Sequence, residues 1–396
     1  MSKKGVLLTT DANLAQIITN DDSVNCLRFN ELTGQRVLPD GREFGDQEFN
    51  KFFTTLRATY GKFGRDIVDD FLWRVAYEHS FNPIREYLES LPEWDGEPRI
   101  ETIFHARLGV SDDEYSRAVA RLFFAAAVKR VYEPGCKYDY VVILSGAQGI
   151  GKSTFVKSLM PNEDWFTDCL SFADMSAPDG KRGAERLQGI WVAELGELTG
   201  MRKAEMEMVK AFITRTDDKY RRAYGRVVES HPRSCVFIGT TNEKMYLRDL
   251  TGDRRYVPLE CHKTEQGANL LSADERDALW AEALALYRQQ PDAPLVLPVN
   301  LWGTATERQK AAAIELPQLG LVDNYLKKYK EEYVCTAIVF RDVFHPAWGD
   351  SCIAKMSKSD SIALGAMIRQ CGWLDDGSFK NFGSLGKQRA FYRLKG

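Results

Sequence analysis

Residues 140–155 read YVVILSGAQGIGKSTF, and they restrict the possible folds more than any other part of the chain. Val141, Val142, Ile143 and Leu144 form the continuous apolar run of a strand covered on both faces, as in a parallel sheet. Gly146, Gly149 and Gly151 follow; without a Cβ they reach positive φ and turn backbone N–H groups inward, making a concave nest for anions. From Ser153 onward the pattern is helical, with the positive end of the helix toward the turn. Gly146 to Ser153 also satisfy G-x-x-x-x-G-K-[ST] position by position. That spacing places Lys152 at the β and γ phosphates of a nucleoside triphosphate and Ser153 at its Mg²⁺. ATP and Mg²⁺ are therefore the expected cofactors, held by Gly146, Gln148, Gly149, Ile150, Gly151, Lys152, Ser153 and Thr154.

A chain of 396 residues with 44% hydrophobic content has room for two or three domains with ordinary cores. Its net charge of −3 supplies no overall field for nucleic acid, so any such contact depends on local basic patches. The 8 cysteines are scattered without a C-x-x-C pair, and the 5 histidines show no metal-ligand spacing. The opening MSKKGVLLTTDANL lacks the apolar core of a signal peptide, and no stretch approaches the ~18 apolar residues of a membrane span. A cytoplasmic protein with reduced thiols and no membrane contact is expected.

Patterning divides the chain into four parts. Residues 1–110 read as a helical, collar-like N-terminal domain, with a small hairpin around Thr33 and Gly34 and helices near 47–60, 64–79 and 83–90. Residues 111–265 carry the nucleotide motif. There Ser111 and Glu114 suggest a capping box for a helix running to about Tyr132, and apolar runs at 189–195 and 235–239 flank a helix near 202–214. Residues 266–315 read as a helical lid and linker, with Leu279, Trp280, Ala283, Leu284 and Tyr287 on one helix. Residues 316–396 give helix, strand, helices and a two-stranded tail, the order of a winged helix. The expected fold class is α/β: a P-loop, AAA+-like three-layer ATPase core between a helical N-terminal and a winged-helix-like C-terminal domain.

Hydrolysis needs a carboxylate for the metal and a group that polarises the attacking water. The run GIWVAELGEL supplies Glu194 as metal ligand and Glu197 as general base, with the two roles exchangeable. At the end of the next strand, in GTTNEK, Asn242 is placed to bond the γ phosphate or the lytic water, with Thr241 its nearest competitor. Arg254 and Arg255 follow a glycine turn and are candidates for an arginine finger that reaches a neighbouring subunit. Between the strands, Lys219, Arg221, Arg222, Arg226 and Arg233 stand near Glu229 with Tyr220 and Tyr224 interleaved. Cations neutralise phosphates and aromatic rings stack on unpaired bases, so this stretch is a candidate single-strand contact. The tail adds Lys380, Lys387, Arg389, Arg393 and Lys395 without an acid from 377 onward, as a DNA-facing wing would.

From Asn82 to about Pro258 the chain resembles the virulence-associated protein E family of phage and mobile-element replication proteins, whose ATPase core is similar to superfamily 3 helicases. WDGEPRI, RVYEPGCKYDY, GAQGIGKSTF, WVAELGEL, VKAFITRTDDKYRRAYGR, RSCVFIGTTN and LRDLTGDRRYVPL occur in the family's order. The resemblance implies that Gly146 to Thr154 is the Walker A loop, Glu194 and Glu197 the Walker B carboxylates, Asn242 the sensor, and Arg254 and Arg255 the finger pair. It also implies that Lys210 to Arg226 reaches into a ring's channel and grips one DNA strand. The implied activity is that of a DNA-dependent ATPase, a hexameric helicase or translocase on single-stranded and duplex DNA, working beside a separate primase or polymerase. An ATP-dependent DNA-binding switch, in origin recognition or defence, is the alternative. Larger relatives place a primase-polymerase ahead of this core; about 80 residues precede the match here, too few for such a domain, so priming is not expected of this chain.

Overall fold

The computed structural model describes residues 8–175, 181–196, 203–220, 228–244, 246–247, 253–264, 270–313, 317–375 and 377–393. The chain divides into two compact units, Met1–Ala313 and Ile314–Gly396.

The first unit begins with α1 (Asp11–Thr19), the hairpin β1 (Arg28–Asn30) and β2 (Gln35–Val37), α2 (Asp46–Tyr60) and α3 (Arg65–Glu78). Apolar residues spaced three or four apart, Phe49, Phe52 and Leu56 on α2 and Val68, Leu72 and Ala76 on α3, build one small core with Leu14 and Ile18 of α1. Asn30 closes the hairpin turn by accepting from the N–H groups of Leu32 and Thr33. Next come α4 (Pro83–Ser90), with Pro83 in its first turn and Asn82 accepting from Ile84 and Arg85, and α5 (Ile103–Leu108).

Helix α6 (Glu114–Tyr132) is capped differently from the expectation. The N-cap is Asp113, not Ser111, and its carboxylate accepts from Ser116 N at 2.9 Å while Ser116 Oγ receives Asp113 N. A charged acceptor two residues closer to the helix outcompetes the serine hydroxyl, because charge-assisted bonds to orphan N–H groups are the stronger ones.

The central sheet is built from β3 (Val141–Ser145), β4 (Phe166–Thr167), β5 (Val192–Leu195), β8 (Val236–Thr241) and β9 (Tyr256–Glu260), all parallel, in the order β4-β5-β8-β3-β9. Between β3 and β4 runs α7 (Lys152–Ser158), and α8 (Phe172–Met175) and α9 (Lys181–Arg186) precede β5. Helix α10 (Lys203–Ile213) and the antiparallel pair β6 (Asp217–Tyr220) and β7 (Glu229–Pro232) are inserted between β5 and β8.

Alternate strand residues face opposite cores, which makes the arrangement three-layered. Val142, Leu144, Val192, Ile238 and Leu259 pack with α6 and with α11 (Ala273–Gln289). Val141, Ile143, Ala193, Phe237 and Tyr256 pack with Val209, Phe212 and Ile213 of α10. Trp191 and Trp280 stack with centroids 4.1 Å apart, and their indole N–H groups donate to Ala127 O and Leu159 O. Helix α11 is thereby tied to the end of α7 rather than lying free of it. After α12 (Trp302–Ala311) the first unit ends.

The second unit holds α13 (Pro317–Lys328), β10 (Tyr333–Val334), α14 (Thr336–Val339), α15 (Lys358–Gln370), the hairpin β11 (Phe379–Asn381) and β12 (Lys387–Arg389), and β13 (Phe391–Tyr392). Strand β10 pairs antiparallel with β13, over a core of Val322, Leu326, Val339, Leu364, Ile368, Trp373 and Phe391. No helix among the described residues is long and apolar enough to cross a membrane.

Candidate nucleotide-binding site

Strand β3 delivers the chain to the carboxyl edge of the sheet, where it turns at Gly146. A Cβ there would meet Cys261 O at 2.4 Å and Ile150 Cδ1 at 2.9 Å, and φ is +155°, so only glycine fits between the loop and the end of β9. Gly149 and Gly151 take φ of 82° and 81°, curling the loop around Ile150, which packs into the main core. Lys152 opens α7 and is buried, and its ammonium donates to Gly146 O at 2.7 Å, Ala147 O at 2.9 Å and Asn242 Oδ1 at 3.0 Å. Burial holds that ammonium below the ordinary lysine range, against the opposing influence of Cys261 and Glu194.

Glu194 completes the arrangement from β5. Its Oε1 accepts from Ser153 Oγ at 2.6 Å and from Thr240 Oγ1 at 2.5 Å, so three elements converge on one oxygen. Its Oε2 is buried and, among the described residues, accepts nothing. Gln148, Ser153, Thr154, Thr241 and Asn242 line the same cleft of about 720 Å³. Gly146 and Ile150 shape the loop from behind instead of lining it.

An orphaned carboxylate oxygen beside a serine hydroxyl is the donor set a magnesium ion takes from protein, since Mg²⁺ uses one or two carboxylates or hydroxyls and completes its octahedron with phosphates and water. Ser153 and Glu194 fit that ion. Thr240 was not among the residues singled out from the sequence. The signal was present in GTTNEK, because alternation on β8 puts Thr240 on the face of Ile238 and toward Glu194.

With this geometry in view, the virulence-associated protein E-like domain model matches residues 88–314, more than half of the chain. The chain belongs to the virulence-associated protein E-like family. Two structures of the C-terminal region of NrS-1 are similar to it in fold: one has TM-score 0.51 at 13% identity and covers 93% of this chain and 95% of that one. The other has TM-score 0.50 at 13% identity and covers 93% and 96%. No curated protein matches it.

The remaining site candidates of this virulence-associated protein E-like chain fall into three groups. Glu197, Arg221, Arg222, Tyr224, Arg226 and Lys395 lie outside the described residues. Arg254, exposed, and Arg255, half-buried, precede β9 at the amino edge of the sheet, opposite the edge that carries Lys152. They do not line the glycine-loop cleft of their own chain.

The basic stretch needs correction at two positions. Tyr220 is 5% exposed and its ring packs, tilted, against His231 with centroids 4.1 Å apart, so it is spent inside the β6–β7 pair and offers no face to a base. Arg233 is buried too, with Nη2 2.7 Å from Asp218 Oδ2 and Nη1 donating to Phe212 O, which removes it from any phosphate-binding patch. The sequence placed that arginine among neighbouring cations, but a buried guanidinium needs a carboxylate, and Asp218 supplies it across the hairpin. Lys219 alone of the described cations on β6 is exposed. In the tail, Arg389 pairs with Asp375 and Lys380 lies over the Tyr333 ring, so its charge is partly answered by an acid just upstream.

Proposed function

We propose that this protein is a Mg²⁺-dependent ATPase that works on DNA as a ring-forming helicase or translocase during replication of a phage or mobile element. The observation that carries the reading is the convergence of Lys152, Ser153, Thr240 and Asn242 on Glu194 and the glycine loop. The family supports replication as its setting, and the parallel sheet with its ligand cleft at the carboxyl edge supports an AAA+-like core.

Ser153 and Glu194 would hold Mg²⁺, which would supply charge neutralisation to the phosphate chain. The loop N–H groups orient the phosphate chain, and Lys152 exchanges its carbonyl partners for phosphate oxygens. Asn242 then holds the γ phosphate or the attacking water, and Glu197 takes its proton. Arg254 and Arg255 serve the site of a second copy in a hexameric ring. The second unit, winged-helix-like in its element order, contacts duplex DNA, and a separate primase or polymerase makes the primers. The setting is the cytoplasm.

A second reading is favoured by the burial of Tyr220, which takes away one of the two rings meant to grip a single strand. In that reading the protein is an ATP-dependent DNA-binding switch without processive unwinding. Purified protein is expected to hydrolyse ATP faster with single-stranded DNA, and Lys152→Ala to abolish this. Strand displacement separates the readings: a translocase opens a forked duplex, whereas a switch binds and hydrolyses but displaces nothing.

A further inference from the structure

We infer that the outward face of the β11–β12 hairpin, carrying Phe379, Asn381, Lys387 and Arg389, takes an unpaired DNA strand and stacks one of its bases on the Phe379 ring. The inference rests on the reading that the second unit meets DNA, and it adds the face, the stacking residue and the form of the strand.

Strand pairing sorts the side chains of the hairpin. Phe379 lies opposite Arg389, Lys380 opposite Gln388 and Asn381 opposite Lys387. Directly opposed residues share a face and successive ones alternate, so Phe379, Asn381, Lys387 and Arg389 stand on one side and Lys380 and Gln388 on the other. The second side is engaged by its own unit. Lys380 Nζ lies 4.6 Å from the centre of the Tyr333 ring on β10, and Gln388 Nε2 donates to Leu385 O at 3.0 Å. On the first side Phe379 is 58% exposed, and Asn381, Lys387 and Arg389 are exposed with it.

The backbone beneath that face is tied down. At the turn, Ser384 Oγ donates to Asp350 Oδ2 at 2.6 Å, and Phe382 and Leu385 pack against the core of the unit. At the open end, Ala390 N donates to Ser378 O, and Asp375, its side chain 4% exposed, pairs with both Arg389 of β12 and Arg369 of α15. Phe379 takes no part in that core. An aromatic ring held in water on a fixed backbone loses little conformational freedom when a planar group covers it, and that covering removes apolar surface from water.

Flanking charge selects the planar group. Two guanidinium groups share the single carboxylate of Asp375, which leaves that cluster positive, and among the described residues no carboxylate lies within ion-pair distance of Lys387. Asp376 lies outside the described residues. From residue 377 onward the sequence holds Lys380, Lys387, Arg389, Arg393 and Lys395 and no acid. Cations beside an open aromatic ring match a phosphate backbone with accessible bases: the phosphates meet Lys387 and Arg389 while a base face covers Phe379. In a closed duplex the base faces cover one another, so the ring specifies an unpaired strand.

The test uses the full chain with two fluorescein-labelled probes, oligo-dT of about 20 nucleotides, longer than one such contact, and a blunt duplex. Anisotropy is read over a series of salt concentrations, beside thermal melts. Phe379→Ala should keep the melting temperature, weaken oligo-dT binding about tenfold with an unchanged salt slope, and leave duplex binding as it was. Lys387→Ala should reduce the slope for oligo-dT by about 0.7. Phe379→Trp should keep the affinity, and the emission it adds over wild type should be quenched by oligo-dT. Oligo-dT affinity that ignores Phe379→Ala, or an equal loss on both probes, overturns the stacking site while leaving DNA binding by the wild type intact. An unchanged slope in Lys387→Ala overturns the phosphate contact on this face. Should Phe379→Ala lower the melting temperature, Phe379→Trp decides, since added emission indifferent to saturating oligo-dT overturns the inference. Wild-type protein that binds neither probe overturns the DNA reading itself, and this inference with it.

Discussion

Ser153 Oγ donates a 2.6 Å hydrogen bond to Glu194 Oε1, joining the first turn of α7 to the end of β5 although β8 lies between β5 and β3 in the sheet. Thr240 bridges the gap by donating to the same oxygen from β8. The second oxygen of Glu194 is buried and accepts no hydrogen bond among the described residues, which suits the proposed metal. Glu194→Gln keeps the shape and one carbonyl acceptor but removes the charge. It is expected to bind nucleotide within a few-fold of wild type and to hydrolyse it at least about a hundredfold more slowly, since metal-borne charge stabilisation is worth several kcal/mol. Steady-state ATPase assays against a Mg²⁺ titration check this; an unchanged rate would remove Glu194 from the metal site.

Gly146→Ala tests the loop without touching a polar group. The added methyl meets the Cys261 carbonyl at 2.4 Å, and backbone cannot yield as a side-chain tip can. A loss of more than about 1 kcal/mol in stability is expected together with loss of nucleotide binding. Urea melts and a binding isotherm measure the two effects on the same sample.

The pair formed by Asp218 and Arg233 fixes the base of the β6–β7 hairpin to the last carbonyls of α10. Asp218→Ala leaves a buried guanidinium without its carboxylate, and roughly 3–5 kcal/mol of stability should be lost. Replacing both residues by apolar side chains of similar volume should recover most of that, because the cost lies in the orphaned charge. Chemical denaturation of the single and double variants decides between this and a pair that contributes little.

These positions also show what the sequence revealed and what it hid. The strand, loop and helix at 141–158 were legible because three independent signals coincide there: an apolar run, glycines at fixed offsets, and the onset of helical periodicity. The helices at 46–60, 65–78 and 83–90 were legible from spacing alone, within a residue or two. Strand β9 was not, because Pro258 sits inside it. A proline is tolerated there since β9 is an edge strand, a fact that only the sheet order discloses. Tyr220 and Arg233 were misread for a related reason. A two-residue period on a hairpin decides which side chains turn inward, and the stretch carries polar residues on both faces, so composition could not say which face was buried.

Lys152 gives a pH dependence whose sign follows from burial. Its ammonium releases its proton at a lower pH than a free lysine, so the charge proposed to attract phosphate is lost earlier as pH rises. Nucleotide affinity should therefore begin to fall in the alkaline range before the ordinary lysine value of about 10.4, and Lys152→Arg should be flat across that interval. Stability in the absence of nucleotide should move the other way. The unfolded chain holds this proton more tightly, so the folded state gains as pH climbs from the lowered value toward the unfolded one. Binding isotherms and melts over the same pH series must show these opposite slopes.

Lys219 and Tyr220 are adjacent in sequence but make opposite predictions for DNA. Lys219 is exposed on β6, whereas Tyr220 is buried against His231. If the hairpin meets a single strand through its phosphates, Lys219→Ala should weaken binding about equally for all sequences and reduce the slope of log K against log salt by about 0.7, the counterion released per phosphate on single strands. Tyr220→Phe keeps the ring contact with His231 and should leave both affinity and salt slope unchanged. Tyr220→Ala should lower the melting temperature, with any change in DNA affinity following the unfolded fraction rather than the salt slope. A base-stacking role would show the reverse: a loss of affinity in Tyr220→Ala at full stability, insensitive to salt and larger for single strands than for duplex. Fluorescence anisotropy at four or five salt concentrations, with melts of the same variants, distinguishes phosphate contact from stacking at these two residues.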